Sequence, residues 1–405
     1  MIKLIIDCDP GVDDILALLL ALNNPEVELK LISLTFGNVP LKGVQKNLFS
    51  MFEVLNRELS HASHQGITNK HHTKQLPLVA LGSDVPVGGE IVTAAHLFAS
   101  DGLGDIHTTH PQYTANENEY NSLFSSARED KIPRIGKGYR ASGFSAHEEI
   151  LNILKSEREN EVVIAAIGPL SNIIRAAETD PVVFSRVRHV VSMGGALQVH
   201  GNITPVAEFN VYSDAMAAAR VYSLTARDPS YTLPPDVPLV RLPRPLNLSI
   251  VPLDTTTVHI LSKEKYNESM KLALSTGSPL AVWIHASLQT TFANMSKIYP
   301  SGDGHLHLHD PVAVWYAITN EQDTSHWVTE ENSDIRIETN GHWSRGLTIQ
   351  DVRGRQHYSD EDLIGQARDY GHWLQRDIGN RIRIVRDSKD REHIVNAVLN
   401  AILFY

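Results

Sequence analysis

The sequence holds a single cysteine, Cys8, among its 405 residues, so no internal disulfide can form and nothing argues for an oxidising compartment. It lacks an apolar run of the ~18 residues that a membrane-spanning helix needs. It also lacks an excess of basic residues: 36 Lys and Arg stand against 47 Asp and Glu, a formal charge of −11. A nucleic-acid polymer or a membrane is therefore not expected as a partner. The N-terminus shows no signal-peptide pattern, so we expect a cytoplasmic protein.

What the sequence does contain is the composition of an ordinary folded domain, with 42% hydrophobic and 20% charged residues. Strand, helix and strand patterns alternate within the first 38 residues, at 3–6, 15–22 and 29–35. This order predicts a βαβ unit, and hence a parallel sheet with right-handed crossovers. Apolar runs at 77–81, 161–167 and 187–192 repeat the strand pattern. Because these runs are continuous, they fit strands that are covered on both faces.

The C-terminal part has a different pattern. Residues 334–338 and 347–349 alternate on either side of Asn340-Gly341, which predicts a hairpin, and 390–404 reads as a closing amphipathic helix. We therefore predict one α/β domain over residues 1–405, a mostly parallel Rossmann-like sheet with helices on both faces and antiparallel C-terminal additions. Residues 107–143 and 225–238 are polar and without periodicity, so we predict long surface loops there. We favour surface additions without a role in the active site over a lid that covers it.

Four carboxylates fall within eight residues at the end of the first predicted strand: Asp7, Asp9, Asp13 and Asp14. In open α/β sheets, ligands bind at this edge. Capping of the following helix explains one or two of the acids. Four acids repel one another unless a cation compensates, and a hard ion that prefers oxygen, such as Ca²⁺ or Mg²⁺, is the natural partner. An alternative is a phosphatase of the haloacid dehalogenase type with Asp7 as nucleophile, but it leaves Asp13 and Asp14 without a role.

The string Asp-Cys-Asp-Pro-Gly-Val-Asp-Asp at 7–14 resembles the signature of the inosine-uridine-preferring nucleoside hydrolase family. Later segments resemble the family in the same order, as far as residue 311: Gly37-Asn38-Val39 with Asn47, Ile167-Gly168-Pro169-Leu170-Ser171-Asn172, Met193-Gly194-Gly195, Asn202, Glu208-Phe209-Asn210 and His309-Asp310-Pro311. The resemblance implies hydrolysis of the N-glycosidic bond of ribonucleosides of the inosine and uridine type, giving free base and ribose. A catalytically inactive ribose-binding module is the remaining alternative.

The resemblance also implies a role for each matching residue. The implied ligands of Ca²⁺ are Asp9, Asp14, Asp310 and the backbone carbonyl of Ile167. Asp9 is in addition the implied general base, and His309 the implied proton donor to the leaving base. The implied ribose contacts are Asp13, Asn38, Met193, Asn202, Glu208 and Asn210, although a core role at a strand end explains Met193 equally well. Relatives imply a homodimer or a homotetramer, and both this choice and the preferred base stay open.

Three further features concern the base side of the pocket. The alternation His305-Leu306-His307-Leu308-His309 suggests a zinc site as an alternative; we instead expect His305 and His307 in a loop near the pocket mouth. Phe98-Ala99 stands where many relatives have His-Gly, which predicts a more apolar wall. Phe292 and Tyr299 lie where the family places base-stacking groups, but Phe292 fits the core at least as well.

Overall fold

The structure is a computed structural model that describes residues 1–64, 75–94, 98–298, 304–320, 322, 324–355, 357–358, 369–375 and 378–403. Its strands are β1 (Ile2–Cys8), β2 (Val27–Leu34), β3 (Leu78–Leu81), β4 (Arg134–Ile135), β5 (Arg140–Ser145), β6 (Val162–Ala166), β7 (His189–Met193), β8 (Leu248–Val251), β9 (Ile260–Ser262), β10 (His305–His307), β11 (Trp327–Ser333), β12 (Ile335–Ile337), β13 (Thr348–Gln350) and β14 (Ile382–Ser388). Its helices are α1 (Val12–Leu22), α2 (Leu41–His64), α3 (Ile106–Thr109), α4 (Glu117–Asp130), α5 (Ala146–Ser156), α6 (Ser171–Thr179), α7 (Pro181–Phe184), α8 (Phe209–Ser213), α9 (Ala215–Ser223), α10 (Leu253–Thr256), α11 (Lys263–Ser275), α12 (Pro279–Ile298), α13 (His309–Thr319) and α14 (Arg391–Leu403).

Ten strands form one sheet in the order β11-β14-β8-β7-β6-β1-β2-β3-β5-β4. Every neighbouring pair from β14 to β5 is parallel. The edge strands β11 and β4 pair antiparallel with β14 and β5. The predicted α/β class with a mostly parallel sheet is confirmed. The antiparallel additions are only partly C-terminal, because β4 extends the opposite edge of the sheet.

Helices cover both faces of the sheet, and β1 shows how the sequence divides between them. Leu4, Ile6 and Cys8 belong to one hydrophobic core together with α1, α2, α12, α13 and α14. Ile5, the residue between them, belongs to a second core together with α5, α6 and α9. Alternate side chains of a strand point to opposite faces, so a strand buried on both sides reads as the continuous apolar run that the sequence shows.

The C-terminal hairpin forms as predicted in its strands but not in its turn. β12 and β13 pair antiparallel in a separate two-stranded sheet, and β9 and β10 form another. The connection is not a two-residue turn at Asn340-Gly341: residues 338–347 form a longer loop, which the backbone bond from Glu338 N to Leu347 O closes at 3.0 Å. The predicted closing helix is α14, and its last expected residue, Phe404, lies outside the described residues.

The prediction of a long loop over 107–143 is wrong. This segment contains α4 and β4 and runs into β5. Tyr120, Phe124 and Ala127 are the buried positions of α4, spaced as one face of a helix, and Tyr120 packs on Phe49 of α2 with ring centroids 4.5 Å apart. The many polar residues between them hid this period. Residues 225–238 hold only a short 3₁₀ turn at Pro229–Tyr231 and are otherwise irregular, as expected. Across the described residues, none of the helices combines the length and the apolar character needed to cross a membrane.

Candidate active site

The candidate site lies where the strand order of the sheet reverses. The chain runs from β1 outward through β2 and β3, then returns to place β6 on the other side of β1. The carboxyl ends of β1 and β6 therefore border the crevice in which such sheets bind ligands. Asp9 follows β1, and Ile167 and Gly168 follow β6.

A single pocket at this crevice collects nine of the eleven site residues that the sequence predicted, namely Asp13, Asn38, Ile167, Met193, Asn202, Glu208, Asn210, His309 and Asp310. The other two, Asp9 and Asp14, are fully or almost fully buried beside it. No side chain from 107–143 or 225–238, both fully described, contributes to the lining, so neither segment gains support as a lid.

Asp9 is held in a socket that requires glycine on both sides. A Cβ atom added at Gly37 would collide with Asp9 Oδ2, and one added at Gly168 would collide with Asp9 Oδ1. The backbone N–H of Asn38 donates to Asp9 Oδ2 at 2.6 Å. Asp9 Oδ1 is buried and has no hydrogen-bond partner among the described residues. An unpaired buried polar atom costs about 1–3 kcal/mol, so this oxygen is available to a cation or to water.

Asp14 fixes the turn that carries these acids. Its carboxylate accepts hydrogen bonds from the backbone N–H groups of Asp9 at 3.1 Å and Gly11 at 3.0 Å. The side-chain amide of Asn38 donates to the same carboxylate at 2.9 Å. A Cβ atom at Gly11 would lie only 2.6 Å from Asn38 Nδ2, so this glycine allows the close approach. These hydrogen bonds and the close approach at Gly11 together fix the conformation of the turn.

Carboxylate oxygens of Asp13, Asp14 and Asp310 can all lie within 4.8 Å of one another, and all three residues are buried. Burial raises the pKa of these carboxyls and of Asp9, and the neighbouring carboxylates raise it further for Asp9, Asp13 and Asp310. A hard divalent cation would relieve this repulsion. Asp9 is not part of this group, but its backbone N–H donates to Asp14, so the two carboxyls belong to the same turn. The residues therefore fit a metal of this kind.

The zinc alternative does not fit. Among the residues that the structure describes, the acids Asp13, Asp14 and Asp310 form the one group with metal-ligand spacing. His305 and His307 lie in strand β10 and not in a loop, and His307 lines the pocket. The Nδ1 atoms of His307 and His309 are engaged by Thr257 O at 2.9 Å and Thr256 Oγ1 at 2.7 Å.

The phosphatase alternative does not fit either, because Asp7 is inaccessible. Its side chain is 0% exposed inside the sheet, where it hydrogen-bonds Ser33 and accepts from Asn172 Nδ2 at 2.8 Å. Asp7 lies within β1, whereas Asp9 follows the strand and meets the crevice at its carboxyl end, where such sheets bind ligands. Asp7 instead ties β1 to β2 and to the start of α6.

Asn210 joins three elements at the floor of the pocket. Its Nδ2 group donates to the carbonyl of Ile167 at 2.9 Å and lies 3.3 Å from the carbonyl of Met193. The Ile167 carbonyl retains a second lone pair for another partner. Met193 is buried at the end of β7 and also lines the pocket, so its core role and its predicted contact role coexist.

Glu208 has a structural task in addition to the one that the sequence predicted. Its Oε1 atom accepts from Asn210 N at 2.8 Å, and its Oε2 atom from Gly195 N at 3.1 Å and Val211 N at 3.0 Å. It thus caps α8 and holds the turn after β7. The side-chain oxygen of Asn202 accepts from Phe209 N at 2.8 Å, which leaves its NH₂ group for a ligand.

His309 begins α13 and is partly buried in the pocket wall. Burial, together with the nearby His307 ring, lowers the pKa of His309 to about 3, so the ring is neutral at pH 7. Burial also lowers the pKa of His307. A neutral ring can donate a hydrogen bond from one nitrogen but does not carry the positive charge of a strong acid.

The lining divides into two parts by chemistry. We call Asp13, Asn38, Asn202, Asn210 and Asp310 the polar wall. We call Ala94, Phe98, Met295 and Leu306, together with His307, the apolar wall.

Of the residues in the apolar wall, the sequence predicted only Phe98 to be a wall residue. Phe292 is a core residue packed on Tyr266, and Tyr299 lies outside the described residues. Met295 carries no signal of its own except that it follows Phe292 by one helical turn.

The fold and the pocket define an α/β protein that can hold a cation and a small hydroxyl-rich ligand at the switch point of a parallel sheet. The sequence model of the family described as inosine-uridine preferring nucleoside hydrolase matches residues 4–377. The chain belongs to this family, and is by class an N-ribosyl hydrolase of ribonucleosides.

Individual relatives agree with this assignment. The inosine-uridine preferring nucleoside hydrolase of Leishmania major is 27% identical over 352 residues, 87% of this chain and 88% of that protein. The pyrimidine-specific ribonucleoside hydrolase of Escherichia coli is 26% identical over 355 residues, 86% of this chain and 88% of that protein. The solved purine-preferring ribonucleoside hydrolase from Gardnerella vaginalis shares the fold, with a TM-score of 0.68 at 21% identity over 99% of this chain and 98% of that one. These names span both base classes, so membership leaves the base open.

Proposed function

We propose that this protein hydrolyses the N-glycosidic bond of inosine- and uridine-type ribonucleosides, with Ca²⁺ held by Asp9, Asp14, Asp310 and the Ile167 carbonyl. The observation that carries the proposal is the unpaired buried Oδ1 atom of Asp9 beside a cluster of buried carboxylates. When bound, a hard divalent cation supplies the positive charge that orients and acidifies a water molecule.

Asp9 is the proposed general base. Its socket between two glycines fixes the carboxylate, and the bond from Asn38 N occupies Oδ2, so Oδ1 is the atom that takes the proton from water. General base catalysis from a positioned carboxylate typically contributes ~10²–10⁴-fold. Burial and the neighbouring Asp14 raise the pKa of Asp9 above its ordinary value, and a bound cation would oppose this rise and keep the carboxylate ionised.

The polar wall is the proposed ribose site. Cleavage of an N-ribosidic bond passes through an oxocarbenium-like transition state, in which positive charge grows on the sugar. The carboxylates of Asp13 and Asp310 and the amide of Asn202 are held in place before the charge develops, so they stabilise it without reorganisation. Amide and carboxyl groups together also suit the several hydroxyls of a ribose.

His309 is the proposed partner of the leaving base. Because its pKa is lowered, it acts as a neutral hydrogen-bond donor, a weaker aid than a charged acid. Its contribution should therefore lie near the lower end of the range for general acid catalysis, about 10²-fold. Uracil and hypoxanthine, the leaving groups of uridine and inosine, are both poor as anions and need this help.

The deciding experiment is removal and return of the metal. Chelation and dialysis should abolish base release from uridine and inosine, and Ca²⁺ should restore it, while a generic phosphoester should release no phosphate in either state. The melting temperature should fall on chelation and recover with Ca²⁺, because a ligand that binds only the folded state stabilises it. Full activity of enzyme proven free of metal would refute the cation scheme.

A further inference from the structure

His307 is the one polar side chain of the apolar wall. It lies in β10, which pairs with β9 so that His307 stands opposite Ile260. Its neighbours in the lining include Phe98, Met295 and Leu306, none of which offers a side-chain donor or strong acceptor. A base packed against this wall loses water, and the imidazole of His307 is then the side chain of this wall with which the base can exchange a hydrogen bond.

The hydrogen bonding of the His307 ring determines which group it presents. Thr257 O lies 2.9 Å from His307 Nδ1. A carbonyl oxygen can only accept, so Nδ1 carries the hydrogen and donates it. In the neutral ring, Nε2 then carries a lone pair and acts as an acceptor. The tautomer is thus set by the backbone of the loop after α10 and not by the ligand.

We infer that His307 determines base specificity, because its Nε2 atom accepts a hydrogen bond from a ring N–H of the nucleobase. This favours oxo bases, which carry such an N–H at N3 of uracil or N1 of hypoxanthine. In cytosine and adenine the same ring atom is an acceptor, so two lone pairs would face each other in a site with little water. The inference rests on the proposed function, and it concerns only which bases are accepted.

The size of the effect follows from the cost of mismatched polar groups in a buried site. Loss of the bond, with both acceptors left unpaired, should reduce kcat/KM by roughly 10- to 100-fold. Which substrates react more slowly should depend on whether this ring nitrogen carries a hydrogen, and not on whether the base is a purine or a pyrimidine. Uridine should therefore exceed cytidine, and inosine should exceed adenosine.

The test compares kcat/KM for uridine, cytidine, 3-methyluridine and nitrophenyl riboside in the wild type and in His307→Phe. The wild type should prefer uridine to cytidine and to 3-methyluridine by about tenfold or more. In His307→Phe the uridine-to-cytidine ratio should fall towards one. The rate on nitrophenyl riboside, which has no base N–H, is the reference against which any general loss of activity in the variant is normalised. The change in ratio isolates the pairwise contact in the manner of a double-mutant cycle.

His305→Phe is the matched control: His305 lies two residues away in the same strand, its ring contacts that of His307 with centroids 4.8 Å apart, but it does not line the pocket. It should leave the ratio unchanged. An unchanged ratio in His307→Phe would overturn the inference while leaving the hydrolase intact. Absence of nitrophenyl riboside cleavage in the wild type would instead refute the proposed function. If His307→Phe failed to fold, equal wild-type rates on uridine and 3-methyluridine would still be decisive.

Discussion

The polar wall around Asp13 and Asp310 is held by hydrogen bonds to the backbone at the ends of central strands, whereas the apolar wall around His307 is held by packing between distant segments. In the polar wall, Asn202 accepts from Phe209 N, and Asn210 donates to the carbonyls of Ile167 and Met193. Phe98 is a helical residue whose N–H bonds the carbonyl of Ala94, while Met295 comes from α12 and Leu306 from the outlying two-stranded sheet of β9 and β10. A wall locked by backbone bonds tolerates little change, while a packed wall can exchange side chains of similar volume. Under the proposed roles, the reaction and the choice of base therefore depend on parts of the pocket that can vary independently.

Asp9→Asn should show the largest effect, since the polar side of the site serves every substrate. The change keeps the shape of the side chain but removes the base and weakens a metal ligand, so turnover should fall by about 10⁴-fold. Uridine, inosine and nitrophenyl riboside should be affected alike, as measured by steady-state rates. Glu129→Gln, the same chemical change at an exposed position of α4, is the control. Loss confined to one base would contradict the division between the walls.

Removal of the 2′-hydroxyl should come next in size. The amides of Asn202 and Asn210 and the carboxylate of Asp13 line the place proposed for the ribose. A site built to bind a hydroxyl rejects the analogue without it, by ~10⁴-fold in favourable cases. The measurement is kcat/KM for uridine against 2′-deoxyuridine. Equal values would show that the polar wall does not distinguish ribose from 2′-deoxyribose.

His309→Ala should have a smaller effect that depends on the leaving group. Natural nucleosides should lose about 10²-fold, because they need the hydrogen bond to the departing base. Nitrophenyl riboside has a good leaving group and should be nearly indifferent. Thr256→Val removes only the hydroxyl that bonds His309 Nδ1, and should reproduce a fraction of the loss. If the activated riboside slowed as much as uridine, His309 would be a structural residue.

The sequence revealed the polar wall because its geometry is local. Asp13 lies in the same turn as Asp9 and Asp14, and the glycines at 37 and 168 occupy places where a Cβ atom would strike Asp9, so the motifs are short. No comparable sequence motif marks the residues of the apolar wall. Met295 lines the pocket because of how α12 packs, and nothing near it in the sequence distinguishes it from a core residue. The alternating histidines drew attention to His307, but the prediction that it lies in a loop is wrong, because alternation alone does not distinguish a strand from a loop. Helix α4 was missed because polar residues surround its buried face.

Cys8 is the single cysteine of the chain and is buried, which has a practical consequence. Its thiol is 0% exposed at the end of β1, and burial together with neighbouring acids such as Asp14 raises its pKa well above the ordinary value. Reagents that attack thiolates should therefore leave the native chain unmodified. A cysteine introduced at an exposed position, such as Trp343 at 85% exposure in the loop between β12 and β13, would be the single reactive thiol. The chain is thus a ready-made background for site-directed fluorophores or spin labels, with no native cysteine to remove.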